Sequence, residues 1–264
     1  MNSTVVRVGG LVFDGREDGD KGFFIEPDGL SGWFNRPNMV RASAKRQQAA
    51  GSHPFPGYSD ERLITIEGKC YTRSPEEQQS YADKLAGLLE DGEFGRLTVE
   101  HQGQSLWANV GLVSQEFDID VYGTDASYQV QLLAPDPYKY GTVRRFPADG
   151  SVGPLQEIEV FHRGNARAYP RFVVAGTIDQ DYAVYGPGTG NSRKRYKVNG
   201  AVSPRNSNVI DLSDGTVILN GAIRRGVVED ATTWGIPGKT KVSHTLDSNG
   251  DPATLVVFVT DTFI

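Results

Sequence analysis

The sequence predicts a mostly β protein built as two sheet-based domains with one α-helix, and three observations carry that expectation. Short apolar–polar alternations with a period of two recur along the chain at a spacing of roughly ten residues. The 31 glycines and 14 prolines are spread over all 264 residues, about 17% of the chain against an average near 12%, which suits many short strands and tight turns. A single stretch carries the 3.6-residue period of a helix. At roughly 150 residues per domain, the length favours two moderate domains.

The elements follow in chain order. Residues 33–60 show neither period and are rich in Pro, Gly and polar residues, so they read as a long loop or arm. Leu63–Glu67 (LITIE) alternates as a half-buried strand does. The helix is predicted over residues 75–90. Ser74 supplies an N-cap, Pro75 suits the first helical position, Glu77 completes a capping box and Gly92 stops the run. Tyr81, Leu85, Leu88 and Leu89 fall at i, i+4, i+7 and i+8, an apolar stripe opposite Glu76, Asp83, Lys84 and Glu90. Burying each such side chain contributes about 1.5–3 kcal/mol before entropy is subtracted, so packing on a sheet is what fixes this helix. Strands are then predicted at Leu97–His101, Leu106–Val113, Glu116–Val121 and Tyr128–Leu133, with turns at Gln102-Gly103 and Gly123-Thr124.

Residues 134–154 (APDPYKYGTVRRFPADGSVGP) concentrate Pro and Gly between two strand-rich regions. The boundary is expected near Gly141, giving domains 1–141 and 142–264. Beyond it only strands are predicted: Leu155–Phe161, Arg171–Ile178, Ala183–Tyr185, Tyr196–Val198, Val209–Leu212, Thr216–Leu219, Arg224–Val228, Val242–Leu246 and Thr254–Val259. Their spacing argues for an antiparallel sandwich, and Ser213-Asp214-Gly215, Asn220-Gly221 and Asn249-Gly250 suit turns with positive φ.

Composition removes several function classes. The lone cysteine, Cys70, excludes a disulfide framework. Arg7 and a charged run stand where a signal peptide needs apolar residues, and the longest apolar run, residues 255–259, is too short to span a bilayer, so neither export nor membrane insertion is expected. The net charge of −6 gives no global attraction to nucleic acid. That charge is uneven: residues 1–141 hold 13 Lys+Arg and 21 Asp+Glu, whereas residues 142–264 hold 14 and 12.

No catalytic, cofactor-binding or metal-binding residue is assigned. His53, His101, His162 and His244 stand far apart, outside any zinc spacing. Gly29-Leu30-Ser31-Gly32 has the wrong spacing for a nucleophile elbow and reads as a loop. Gly186–Ser192 is glycine-rich but is followed by no Lys-Ser/Thr, so it reads as a hairpin tip. Behind it Arg193, Lys194, Arg195 and Lys197 form a basic patch, read first as a solvated face and second as a contact for phosphate, acidic glycan or acidic protein. The acidic groups Asp14–Asp20 and Asp118, Asp120 and Asp125 read as turns and not as calcium loops. His162-Arg163-Gly164-Asn165-Ala166-Arg167, with Trp234 later, has the residue types of a galectin sugar site at the wrong spacing, and reads as a strand ending in a turn.

The order of segments resembles the distal tail proteins of long, flexible-tailed bacteriophages. The resemblance runs through LITIEGKCY, the helix, RLTVEHQG, SLWANVGLV and ASYQVQLLAPDPYKYG, whose APDPYKYG ending (134–141) is its most specific piece. In the second half GNARAYPRFVVAGTI (164–178), VIDLSDGTVILNGA (209–222) and TTWGIPGKTKVSH (232–244) are similar to that family's galectin-like C-terminal sandwich. Residues 60–264 are covered, and the chain end FVTDTFI lacks the tryptophan often found there.

The resemblance implies an N-terminal β-sandwich or split-barrel ring domain with one helix, followed by a galectin-like β-sandwich. It implies a non-enzymatic virion protein at the distal end of the tail, made in the host cytoplasm. Six copies would form a ring joining the tail tube protein above to the tail-associated hub protein below, beside other baseplate or receptor-binding proteins, with no membrane partner and no cofactor. Genome DNA would pass through without specific binding, and an acidic N-terminal half would suit a wall that repels it. The alternative expectation is a lectin-like protein recognising host cell-wall glycan through an exposed Trp234 or the basic loop. A glycan-degrading enzyme has no motif behind it.

Overall fold

The computed structural model describes residues 4–15, 21–119, 124–188 and 192–264. Contacts divide the chain into two compact units, Met1–Lys139 with Ile264, and Tyr140–Phe263. Each has its own apolar core.

The first unit is a closed seven-stranded β-barrel. In spatial order its strands are Asp125–Ala134, Arg62–Tyr71, Gly22–Ser31, Leu11–Asp14, Val5–Val8, Gly95–His101 and Gln104–Ile119, the last pairing back onto the first. Closure leaves no unpaired sheet edge. Neighbours are antiparallel except Leu11–Asp14 and Gly22–Ser31, which run parallel. Inward residues alternate along Arg62–Tyr71 as Arg62, Ile64, Ile66 and Cys70, and along Asp125–Ala134 as Ala126, Tyr128, Val130, Leu132 and Ala134. The alternation read at LITIE thus extends over the whole strand. The motif Gly29-Leu30-Ser31 lies inside the strand Gly22–Ser31 and not in a loop.

The two strands expected at 106–113 and 116–121 are one strand, Gln104–Ile119, broken in register between Leu112 and Ser114. The extra residue, Val113, is a β-bulge, and it reverses which residues face inward. Before it Ala108 and Val110 are buried. After it Phe117 packs against the core, and Glu116 and Asp118 are exposed.

The helix spans Pro75–Ala86, shorter than the 75–90 predicted. Ser74 Oγ accepts from Glu77 N (3.3 Å), and Glu77 Oε2 accepts from Arg73 N (2.9 Å), one residue upstream of the usual capping-box partner. Gly87 caps the helix, its N donating to Asp83 O (3.0 Å), and Leu89 takes φ 50° in the turn that follows, ahead of Gly92. Leu85 and Leu88 still enter the barrel core, and Tyr81 meets Phe23 edge-on at 5.3 Å.

Residues 33–60 are more ordered than an irregular excursion. Met39–Val40 pairs with Tyr58–Ser59, and Ser43–Lys45 pairs with Ser52–Pro54, so the segment is a long hairpin arm with two short ladders. Period-two reasoning misses it because its strands are two or three residues long and exposed on both faces.

The second unit is an antiparallel sandwich. One sheet holds Lys139–Phe146, Ala253–Phe263, Arg171–Gly176, Asn208–Asp211, Thr216–Leu219 and Ala222–Ile223. The other holds Ile158–Phe161, Lys241–Asp247, Asp181–Gly186, Lys194–Asn199 and Val228–Ala231. Two expectations are corrected. The Pro/Gly-rich stretch 134–154 contains the strand Lys139–Phe146, and the strand expected at Arg224–Val228 is instead the pair Ala222–Ile223 and Val228–Ala231, parted by a turn in which Gly226 has φ 73°. Asn220-Gly221 and Asn249-Gly250 take positive φ as hairpin turns require.

Candidate interaction site

Two surfaces of the barrel unit stand out, the hairpin arm and an acidic stretch of barrel wall. The root of the arm is fixed by buried charge. Arg62, 2% exposed, donates from Nη1 to the carbonyls of Gly32 (2.7 Å), Trp33 (3.2 Å) and Asn35 (2.7 Å), and from Nε to Pro137 O (3.0 Å). Lys139 Nζ also donates to Trp33 O (3.0 Å). Carbonyl dipoles thus take the place of a counter-ion. Burial and the neighbouring Arg62 push Lys139 down to about 8, and burial lowers Arg62. Beyond this root the arm projects Phe34, Met39, Phe55 and Tyr58, the last 65% exposed, together with Arg36, Arg41, Lys45 and Arg46.

The acidic stretch lies where the bulged strand, its partner Asp125–Ala134 and Arg62–Tyr71 adjoin. Glu26, Glu67, Glu116 and Asp118 line a shallow depression of about 270 Å³ with Lys69 and Gln129. Lys69 Nζ is held by Ser127 Oγ at 2.8 Å, and Gln129 Nε2 donates to Glu67 Oε1 at 2.6 Å. Among the described residues none of these four carboxylates is ion-paired.

The residues singled out from sequence do not converge. His53 lies exposed on the arm, while His101 Nδ1 is 2.8 Å from Thr4 Oγ1 with Phe34 against its ring. Buried Cys70 is pushed up to about 12 by desolvation, which leaves it an inert thiol. Of the acidic groups Asp14–Asp20 and Asp118/Asp120/Asp125, residues 16–20 and 120 lie outside the described residues, as do Thr189, Gly190 and Asn191 of the glycine-rich run and Gly123 of the expected turn. Among the described residues no three His, Cys, Asp or Glu side chains are grouped to hold a metal ion.

The sandwich corrects the sugar-site expectation. Trp234 is 2% exposed, packed against Phe172 and donating from Nε1 to His244 Nε2 at 3.1 Å. It is therefore core, not a platform for a sugar ring. A buried side chain at 186 has no room either, since a Cβ there would sit 2.1 Å from the Trp234 ring. The basic patch is largely matched by acid: Arg195 with Asp230 (3.2 Å), Lys197 with Asp181 (2.9 Å) and Glu229 (2.8 Å), and Arg193 with Glu157 (3.8 Å). His162-Arg163-Gly164 directly follows the strand Ile158–Phe161 and is tied to the C-terminal strand. His162 Nε2 accepts from Thr262 N (3.0 Å), and Asp261 accepts from Arg163 N (3.0 Å) and from Nη2 (2.6 Å) and Nε (3.1 Å) of Arg144.

No protein-family model and no curated protein sequence matches the chain. Solved structures do. The crystal structure of the SPP1 Dit protein, described as a paradigm of the hub adsorption apparatus in phages infecting Gram-positive hosts, aligns over 99% of both chains with a TM-score of 0.75 at 13% identity. The chain has the fold of a phage distal tail protein. A chain of the phage P2 baseplate in its activated conformation aligns over 98% of both chains, with TM-scores of 0.54 with Ca and 0.53 with Sr and identities of 9% and 10%. The alignment therefore also takes in the chain before residue 60, where the sequence resemblance is weak. Among the described residues no helix is long and apolar enough to cross a membrane.

Proposed function

We propose that this protein is a structural component of a phage virion, a distal tail protein that forms a six-membered ring between tail tube and hub and has no enzymatic activity. The observation that carries the reading is the end-to-end match of both units, in order, to the SPP1 Dit protein. A closed ring is built from one heterologous contact repeated by rotation, which needs two different patches on the same chain, and the arm and the acidic wall are two such patches. The acid surplus of residues 1–141 opposes any grip on DNA passing through the ring. The lectin reading loses its aromatic platform with the burial of Trp234, and the basic residues it would otherwise use are largely paired with acids.

Electron microscopy of the purified protein, alone and with its tail partners, tests this. Rings with a mass near six times 28.8 kDa are expected. Monomers under every one of those conditions would overturn the ring, and turnover of host cell wall by the purified chain would overturn the non-enzymatic reading.

A further inference from the structure

We infer that His162 is a proton-operated latch: as a neutral ring it holds the end of the strand Ala253–Phe263 in the sandwich, and as a cation it lets that end go. The inference stands apart from the ring reading. The imidazole is fully buried, and both of its partners are backbone groups whose roles cannot change. Thr262 N donates to Nε2 at 3.0 Å, and Pro237 O, 3.3 Å from Nδ1, can only accept. Together they fix one tautomer, with the proton on Nδ1 and the lone pair on Nε2. A second proton lands on Nε2 and sets two N–H groups against each other where neither reaches water. Taking up that proton therefore requires Thr262 to move away.

The segment after His162 is wrapped around the same strand end. Ala166 N donates to Thr262 O (3.1 Å) and Arg163 N to Asp261 Oδ1 (3.0 Å). Gly164 permits this close approach, since a Cβ there would sit 1.9 Å from Thr262 O. Burial holds the His162 ring below its ordinary value; the bond to Pro237 O and the charge of Asp261 oppose that shift, and Arg144 adds to it. Asp261 is already engaged by Nη2 and Nε of Arg144, so its carboxylate does not stand ready to receive an imidazolium. Arg163, Lys239 and Lys241 nearby are exposed, and Lys241 pairs with Glu159 (2.5 Å). Arg144 and Thr262 belong to the strands Lys139–Phe146 and Ala253–Phe263, next to the two points, Lys139/Tyr140 and Phe263/Ile264, at which the chain passes between the units. An open latch thus loosens the chain at one of its two crossings. The sign follows from the low value of the closed state. The latch is shut above about pH 6.5, and below that the closed-to-open ratio falls by up to ~10-fold per pH unit, the limit for one proton.

The test is amide hydrogen exchange of the full chain, corrected for the pH dependence of exchange itself, with imidazole-nitrogen NMR alongside. Between about pH 7.5 and pH 5 the protection of the Thr262 and Ala166 amides is expected to fall ~10-fold or more. Low urea separates this opening from unfolding of the whole sandwich, because a local opening exposes little surface. Exchange at Thr262 in acid is expected to ignore low urea, whereas exchange in Arg171–Gly176 quickens with it. The NMR titration is expected to show Nδ1 protonated and Nε2 bare at neutral pH, with Nε2 gaining its proton in step with the loss of protection at Thr262. His162→Gln keeps an acceptor for Thr262 N and cannot titrate, so its Thr262 protection is expected to stay level over the same range. Protection that does not change with pH, a Thr262 amide as urea-sensitive as Arg171–Gly176, an Nε2 that is protonated while Thr262 stays protected, or the same fall in His162→Gln would each overturn the latch. Should His162→Gln fail to fold, the wild-type titration and urea series decide alone.

Discussion

At the scale of single residues, the two cores are held by close fits and by charge kept out of water. Gly186 is needed for space: a Gly186→Ala change drives Cβ into Trp234, and the sandwich is expected to lose about 1–3 kcal/mol, read as a lower melting temperature with the barrel unaffected. His244 makes the sandwich pH-sensitive. Burial holds its folded-state value down to about 3, against about 6.5 when unfolded, so between those values the unfolded chain binds the extra proton. Its contribution is therefore complete above about pH 6.5 and is lost as the pH falls toward 3, at a limiting slope of about 1.4 kcal/mol per pH unit for one proton. Buried His162 shifts in the same direction. Denaturation followed across that range should show the decline, and His244→Gln, which keeps an acceptor for Trp234, should flatten it. None of this is legible in the sequence. A histidine at period two in VSHTL looks the same whether its neighbour across the core is water or an indole.

At the scale of elements, what the sequence revealed and what it hid divide by burial. The strand Arg62–Tyr71 announces itself because one face is core and the other solvent, and the helix because its cap and stripe coincide. Ser74→Ala should cost about 1 kcal/mol of barrel stability, measurable by urea denaturation. The first three barrel strands carry no clear period because they are short or interrupted: Val5–Val8 and Leu11–Asp14 have four residues each, and Gly22–Ser31 shifts register between Ile25 and Leu30. The arm was legible only as an absence of period. Arg62 anchors it, and replacing Arg62 with Met takes the donor from the carbonyls of Gly32, Asn35 and Pro137, while Trp33 O keeps Lys139. That change should cost about 1–3 kcal/mol for each acceptor left unsatisfied and speed hydrogen exchange at residues 32–36. Clipping the arm beyond its root should leave the melting temperature of the barrel nearly unchanged.

For the whole molecule, the halves differ in what their charges are for. In the sandwich, cations and acids largely satisfy each other on one surface. In the barrel unit they are separated, which is expected to make self-association steeply salt-dependent. Sedimentation between low and high ionic strength should show the assembly weakening as salt rises, and insensitivity would count against a charged contact. The segregation was present in the composition, but its meaning depended on a single residue that no composition reveals. Because Val113 is the odd residue in its ladder, removing it would slide the following strand by one step and exchange its two faces. Glu116 and Asp118 would then point into the core and Phe117 to water. The outer wall would lose half of its four carboxylates although every acid in the chain remained. One inserted valine is thus what turns a stretch of acidic sequence into a surface that another molecule can read.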